Sequence, residues 1–155
     1  MAGKIDARLA ELGIELPTPA KPVASYVPFV RTGNLVFVSG QIPMRDGSIS
    51  HTGKVGAERT LEEGQEAAQL CGVGLLAQLR VACEGDLDRV VRVVRLGGFV
   101  ASMSNFTDQP KVINGASDLM VNVFGDAGRH ARTAVAVNVL PLDCTVEVDG
   151  IFEIA

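Results

Sequence analysis

At 155 residues, with 47% of them apolar and a formal net charge of −4, the chain suits one globular domain with a sizeable core and not a nucleic-acid binder working through a basic surface. Trp is absent and only one Tyr occurs, so the core must be aliphatic. Cys71, Cys83 and Cys144 lack Cys-x-x-Cys spacing, and no acidic cluster links the well-separated His51 and His130, so no metal site is expected.

Residues 1–20 lack the basic-then-apolar order of a signal peptide, and no apolar run approaches membrane-spanning length. A cytoplasmic location with no membrane partner is the expectation. Ile5, Leu9 and Leu12 recur at helical spacing and predict a short amphipathic helix over 3–13, stopped by Gly13. Pro17, Pro19 and Pro22 make the following stretch an extended connector. Residues 1–23 therefore read as a helix and Pro-rich connector ahead of a main domain, 24–155. Strands over 24–31 and 34–41 flank a Thr–Gly–Asn turn and form a hairpin. Residues 43–58 are rich in Gly, Ser and charge and read as a loop, with a short edge strand near Lys54–Val55.

Thr60–Leu61–Glu62–Glu63 is a capping box that opens a helix running to about Cys83. Its inner stripe is Gly64, Ala68, Cys71, Leu75 and Leu79, small at one end and bulky at the other, which lets the small end lie close on a sheet. Cys71 on that stripe is expected to be a buried, reduced thiol. Arg80, Arg89, Arg92 and Arg95 alternate with Glu84, Asp86 and Asp88, an ordinary mixed surface. Residues 89–101 alternate and are Val-rich, giving a strand. Ile113, Ala116, Met120 and Val123 mark one face of a helix over 108–124, with Gly125 placed to end it.

Two alternating segments close the chain, His130–Pro141 and Thr145–Glu153. On the first, Thr133, Val135, Val137 and Val139 share one face, and Arg132, Ala134, Ala136 and Asn138 the other. The second divides into Val146, Val148, Gly150, Phe152 and Ile154 against Glu147, Asp149, Ile151 and Glu153. An arginine and a carboxylate thus stand on strand faces otherwise lined with small residues. A sheet looks like that when its second face meets another protein surface or a small anionic ligand; a solvated face is the alternative. The element order predicts an α+β class, one mixed sheet with two helices on one face plus an extra N-terminal helix. Alternation alone pairs the last two strands as a hairpin across Leu140–Thr145. Two helices cannot cover both faces, so the other face needs a partner.

The segments Tyr26–Val–Pro–Phe–Val–Arg–Thr–Gly–Asn–Leu–Val–Phe–Val–Ser–Gly–Gln–Ile–Pro43 and Arg132–Thr–Ala–Val–Ala–Val…Leu–Pro…Val–Glu–Val–Asp149 resemble, in order, the two signatures of the Rid (YjgF) family of reactive intermediate deaminases. The resemblance runs from about Tyr26 to the C-terminus. It implies a chorismate-mutase-like fold in which the final strand inserts centrally, and a homotrimer with sites at the subunit interfaces. It also implies cofactor-free hydrolysis of enamine or imine forms of 2-oxo acids, of the 2-iminobutanoate and 2-iminopropanoate kind, to the 2-oxo acid and ammonia.

Matched to the family's motifs, the catalytic residues are Arg132 and Glu147, and Tyr26, Gly40, Asn114 and Ala134 complete the substrate site with Arg132. An arginine fork holds a carboxylate through two parallel hydrogen bonds. A glycine lets a ligand approach the backbone, Asn114 can donate and accept, and Glu147 can take a proton from water. Taken singly, each residue also suits a surface ion pair, an exposed strand position or interface packing. Departures from the family pattern are Ala134 where some members carry Cys, Ser117 where many carry Tyr, and Val27–Pro28–Phe29 in place of Ser-Gln-Ala. Those changes bear on substrate choice and leave the carboxylate clamp intact. The competing readings are a non-catalytic protein of the same fold that senses a small carboxylate, and a ribonuclease, which the acidic charge and unpaired histidines disfavour.

Gly72–Val–Gly–Leu–Leu–Ala77 matches a dinucleotide fingerprint only in letters, because it lies within a helical stripe. Asn105–Phe–Thr lacks a secretory context, and Ser39 lacks the flanking glycine of a nucleophile elbow.

Overall fold

A computed structural model describes residues 3–19 and 24–155. Helix α1 (Lys4–Glu11) buries Ile5 and Leu9, and Gly13 stands just past it at φ +68°. The N-cap residue, Gly3, has no side chain to cap the helix. Asp88 does so from elsewhere in the chain, accepting from the Lys4 and Ile5 N–H groups at 2.9 and 2.8 Å. Asp6 pairs with Arg80 at 2.7 Å, which ties α1 to the next helix. The connector is without regular structure as far as it is described; Pro22 lies outside the described residues.

Strands β1 (Phe29–Thr32) and β2 (Leu35–Gln41) form the expected hairpin. β1 begins well after residue 24, because Pro28 donates no ladder hydrogen bond. The short strand expected near Lys54–Val55 lies earlier. β3 (Met44–Arg45) and β4 (Ser48–Ile49) pair around Asp46–Gly47, both at positive φ, an Asp-Gly hairpin signal in plain view of the sequence. Val55 makes only isolated bridges to Arg59 and Ser102.

Helix α2 (Leu61–Ala82) carries both halves of its capping box: the Thr60 hydroxyl accepts from Glu63 N–H, and the Glu63 carboxylate accepts from Thr60 N–H. Such a cap contributes about 1 kcal/mol. The inner stripe is buried as expected. Strand β5 (Val90–Ala101), helix α3 (Gln109–Phe124) and strands β6 (Ala131–Val137) and β7 (Val146–Ile154) complete the chain. α3 buries Ile113, Ala116, Met120 and Val123 and ends at Gly125, φ +64°.

The main sheet has the order β1-β2-β7-β5-β6, with β5 and β6 parallel and the other pairs antiparallel. The hairpin that alternation alone predicts for the last two strands does not form. The α3 crossover returns the chain parallel to β5, and the stretch from 138 to 145 then carries it away from that edge. Thr145 fastens that stretch by donating from Oγ1 to the Gly53 carbonyl at 2.9 Å. β7 enters between β2 and β5, the central position implied by the family resemblance. That position suits it: Val146, Val148, Phe152 and Ile154 are fully buried on one face, each worth about 1.5–3 kcal/mol.

α2 and α3 cover one face of the sheet. The assignment of faces on β6 is the reverse of the expected one. Arg132 and Ala134 lie on the helix-covered face, beside Leu96 and Gly98 of β5, whereas Val135 faces away and is 39% exposed. The small pair Gly98 and Ala134 makes room for Ile113 of α3 to pack directly on the sheet. At one end of the opposite face a small cluster of Ala101, Leu140 and Cys144 forms with Ile42, Ile49, Phe99 and Val137. Elsewhere that face leaves Val30, Phe37 and Val135 open. All three cysteines are buried and free.

Candidate functional site

The α3–β6 edge gathers one group of polar side chains. Asn114 and Ser117 stand three residues apart, on one side of α3, and Arg132 reaches them from β6. Arg132 Nη1 donates to Asn114 Oδ1 at 2.7 Å and to Ser117 Oγ at 3.1 Å. Ser117 Oγ is 2.9 Å from His130 Nε2, and His130 Nδ1 is 2.6 Å from the Gly128 carbonyl. Burial depresses the His130 pKa, the Gly128 carbonyl opposes that, and the Arg132 charge adds to the depression. That net depression favours the neutral ring. A shallow cavity of about 250 Å³ opens against Arg132, His130, Ser117, Arg129, Asp118 and Val121. Ala134 lies one pleat further along β6, beside Gly98.

Gly40 and Glu147 form a second group on the opposite face. Glu147 is opposite Phe99 of β5, and its carboxylate lies over Gly40 at the bulged end of β2. A Cβ at position 40 would stand 2.6 Å from Glu147 Oε2, so only glycine permits the approach. Burial raises the Glu147 pKa, and the neighbouring Asp149 carboxylate raises it further. Asp149 is raised by burial against the pull of Arg95 and the Gly97 N–H. Arg95 lies 3.9 Å from Asp149 and donates to Thr133 Oγ1 at 3.0 Å. Tyr26, 63% exposed, lies in the bend before β1. Its segment is held against β2 by Ser39, whose hydroxyl donates to the Val27 carbonyl at 2.8 Å and whose N–H donates to the Pro28 carbonyl at 2.9 Å.

Five of the six residues matched to the family's site thus fall into two sets: Asn114, Arg132 and Ala134 on one face of the sheet, and Gly40 and Glu147 on the other. Tyr26 precedes the first strand. Within one chain the guanidinium and the carboxylate never meet. Sequence reading overlooked Ser117 and His130 as neighbours of Arg132, and Asp149 as a neighbour of Glu147. The signals were present: Ser117 follows Asn114 by three on a helix, and His130 and Asp149 each lie two residues from a chosen strand residue. Among the described residues, no group of three His, Cys, Asp or Glu side chains could hold a metal ion, and no helix is long and apolar enough to cross a membrane.

Comparison with known proteins gives a consistent picture. A family described as "YjgF/chorismate mutase-like, putative endoribonuclease" matches residues 6–153. Protein TCP17 of Trypanosoma cruzi is 48% identical over 154 residues, covering 99% of this chain and 96% of that protein. The crystal structure of Atu1372 from Agrobacterium tumefaciens, a protein of unknown function, superposes with a TM-score of 0.92 at 50% identity, covering 97% of this chain and 92% of that one. A 2-iminobutanoate/2-iminopropanoate deaminase of Dermatophagoides farinae is 27% identical over 138 residues, covering 89% of this chain and 92% of the relative.

Proposed function

Because the chain belongs to the YjgF (Rid) family, we propose that it is a cofactor-free hydrolytic deaminase of enamine and imine forms of 2-oxo acids, assembled as a homotrimer whose sites lie at the seams between copies. The deaminase among its relatives supports the reaction class. The observation that carries the reading is the division of the site between two sheet faces. One copy supplies Arg132 and Asn114, and a neighbour supplies Glu147, Gly40 and Tyr26. The open apolar face with Val30, Phe37 and Val135 is the surface on which the copies meet.

Arg132 takes the substrate carboxylate, using donors that Asn114 and Ser117 leave free. The carbon of a protonated imine is already electrophilic, so positioning and water activation suffice. Glu147 accepts a proton from water as the oxygen adds to that carbon. It then returns that proton to nitrogen; as the carbon–nitrogen bond breaks and ammonia leaves, the hydroxyl of the adduct gives up its proton to the regenerated carboxylate and becomes the carbonyl of the 2-oxo acid. An enamine first takes a proton at its terminal carbon to become the imine. A carboxyl whose pKa is raised by burial and by Asp149 is suited to giving as well as taking that proton.

The test generates 2-iminopropanoate in situ with an amino-acid oxidase and follows ammonia release. Wild-type protein should accelerate release, and Arg132→Ala should lower the acceleration by at least about a thousandfold. Full turnover by Arg132→Ala would remove the clamp from the mechanism. Tight 2-oxo-acid binding without acceleration would identify a carboxylate sensor instead.

A further inference from the structure

The hydrogen-bond row behind Arg132 decides which of its donors remain for a ligand. A guanidinium has five N–H groups. Nη1 holds two of them, and both are engaged, one by Asn114 Oδ1 and one by Ser117 Oγ. Nε and Nη2 keep theirs, and together they form the parallel edge that matches the two oxygens of a carboxylate.

The row admits one proton arrangement. The Gly128 carbonyl can only accept, so His130 Nδ1 carries the ring hydrogen. Nε2 of the neutral ring is then a bare acceptor, and the Ser117 hydroxyl must donate to it. With its proton turned toward the imidazole, the Ser117 oxygen presents its lone pairs to Arg132. Every member is satisfied, and the direction of each bond depends on the next.

We infer that Ser117 and His130 are positioning residues for the reaction proposed above, fixing the Arg132 guanidinium so that its Nε–Nη2 edge receives the substrate carboxylate. The inference rests on Arg132 being that carboxylate clamp. It also gives the protein an acid limit. Protonation turns His130 Nε2 into a donor, strips the Ser117 proton of its acceptor and sets two cations side by side. The charged groups around the ring are Arg132 on β6, Arg129 in the preceding turn, which faces Asp126, and Asp118 on α3. Arg95 on β5 is turned to the opposite face, toward Asp149. A row that merely anchored the turn before β6 would predict none of this selectivity.

The experiment compares wild type with Ser117→Ala, His130→Ala and His130→Gln in imine turnover, in 2-oxobutanoate affinity and in side-chain ¹⁵N NMR. Removing either member should raise KM and weaken 2-oxobutanoate by about tenfold while kcat changes little, because orientation of the carboxylate is shared by ground and transition states. Gln at 130 offers an acceptor to Ser117 and does not titrate. It should restore KM and flatten the acid side of the pH profile of kcat/KM. NMR should show the Nδ1–H tautomer of His130, and Ser117→Ala should speed hydrogen exchange at Arg132 Nε. An Nε2–H tautomer, or an unchanged Arg132 exchange rate and affinity in Ser117→Ala, overturns the inference. If wild type binds 2-oxobutanoate but turns over no imine, the enzyme reading falls, and the positioning role is still decided by affinity and NMR. Failure to bind a 2-oxo acid at all overturns both.

Discussion

The two faces of the five-stranded sheet treat their polar side chains in opposite ways. Under α3, Arg132 is braced by Asn114 and Ser117, and the bracing continues through His130 to a backbone carbonyl. On the open face, Glu147 stands near Asp149 with no cation of its own among the described residues, Asp149 is partly offset by Arg95 and the Gly97 N–H, and both carboxyls are pushed toward their neutral forms. In the proposed reaction the first half holds the substrate anion in a fixed place and the second exchanges a proton. The proposed assembly brings the halves together across the apolar surface around the second.

The largest effect should come from separating the copies. Phe37→Glu places a charge in the middle of the open face, which a buried seam cannot tolerate. A folded monomer by light scattering with turnover near background is the expected outcome; a monomer retaining full turnover would show that one face suffices. Next, Glu147→Gln should lower kcat by about a hundredfold, the range of a lost proton-transfer group, with 2-oxobutanoate affinity held within about twofold. In the Phe37→Glu background, where the chain stands alone, the same change should stabilise. A raised folded pKa means that the stability of the acid form is present below its ordinary value of 4.5 and is lost as pH rises through the folded value. Denaturant melts should therefore coincide below pH 4.5 and favour Gln at pH 7, by less than about 1 kcal/mol for a half-exposed group.

Arg132→Lys keeps the charge and loses the fork, so KM should rise about tenfold with kcat nearly intact. Gly40→Ala pushes on the flexible tip of Glu147 and not on backbone, so the fold should hold and kcat fall by about threefold. The smallest effect concerns the braced face. The His130 pKa is depressed on folding, so the stability of its neutral form is complete above about pH 6.5 and declines as pH falls through the folded value. His130→Gln should remove that segment of the wild-type pH–stability curve, measured by thermal melts.

Most of the fold was legible because its signals are local. Thr60 and Glu63 announce α2, Gly125 ends α3, and the alternation of β7 assigns its buried face. Local signals failed where a long-range partner decides. Alternation treats Val135 and Val139 as core, yet the depth at which α3 settles over Gly98 turns the Arg132–Ala134 side inward. It pairs β6 with β7 as neighbours in sequence, although the α3 crossover has already committed β6 to β5. The residue types of the candidate site came from matching two motifs. Their division between faces could not, because it depends on strand order and register together. Ser117 and His130 are within reach of simple periodicity, but setting Ser117 against the family's tyrosine hides its pairing with Arg132.

The most direct measurement mixes two inactive variants. Arg132→Ala and Glu147→Ala, each near background alone, are dissociated together and reassembled in equal amounts. If each site draws its guanidinium and its carboxylate from different copies, random mixing leaves about one site in four with both groups, and about a quarter of wild-type imine turnover should return. Reassembled mixtures as inactive as either parent would mean that both groups must come from the same chain, and the shared seam would have to be abandoned.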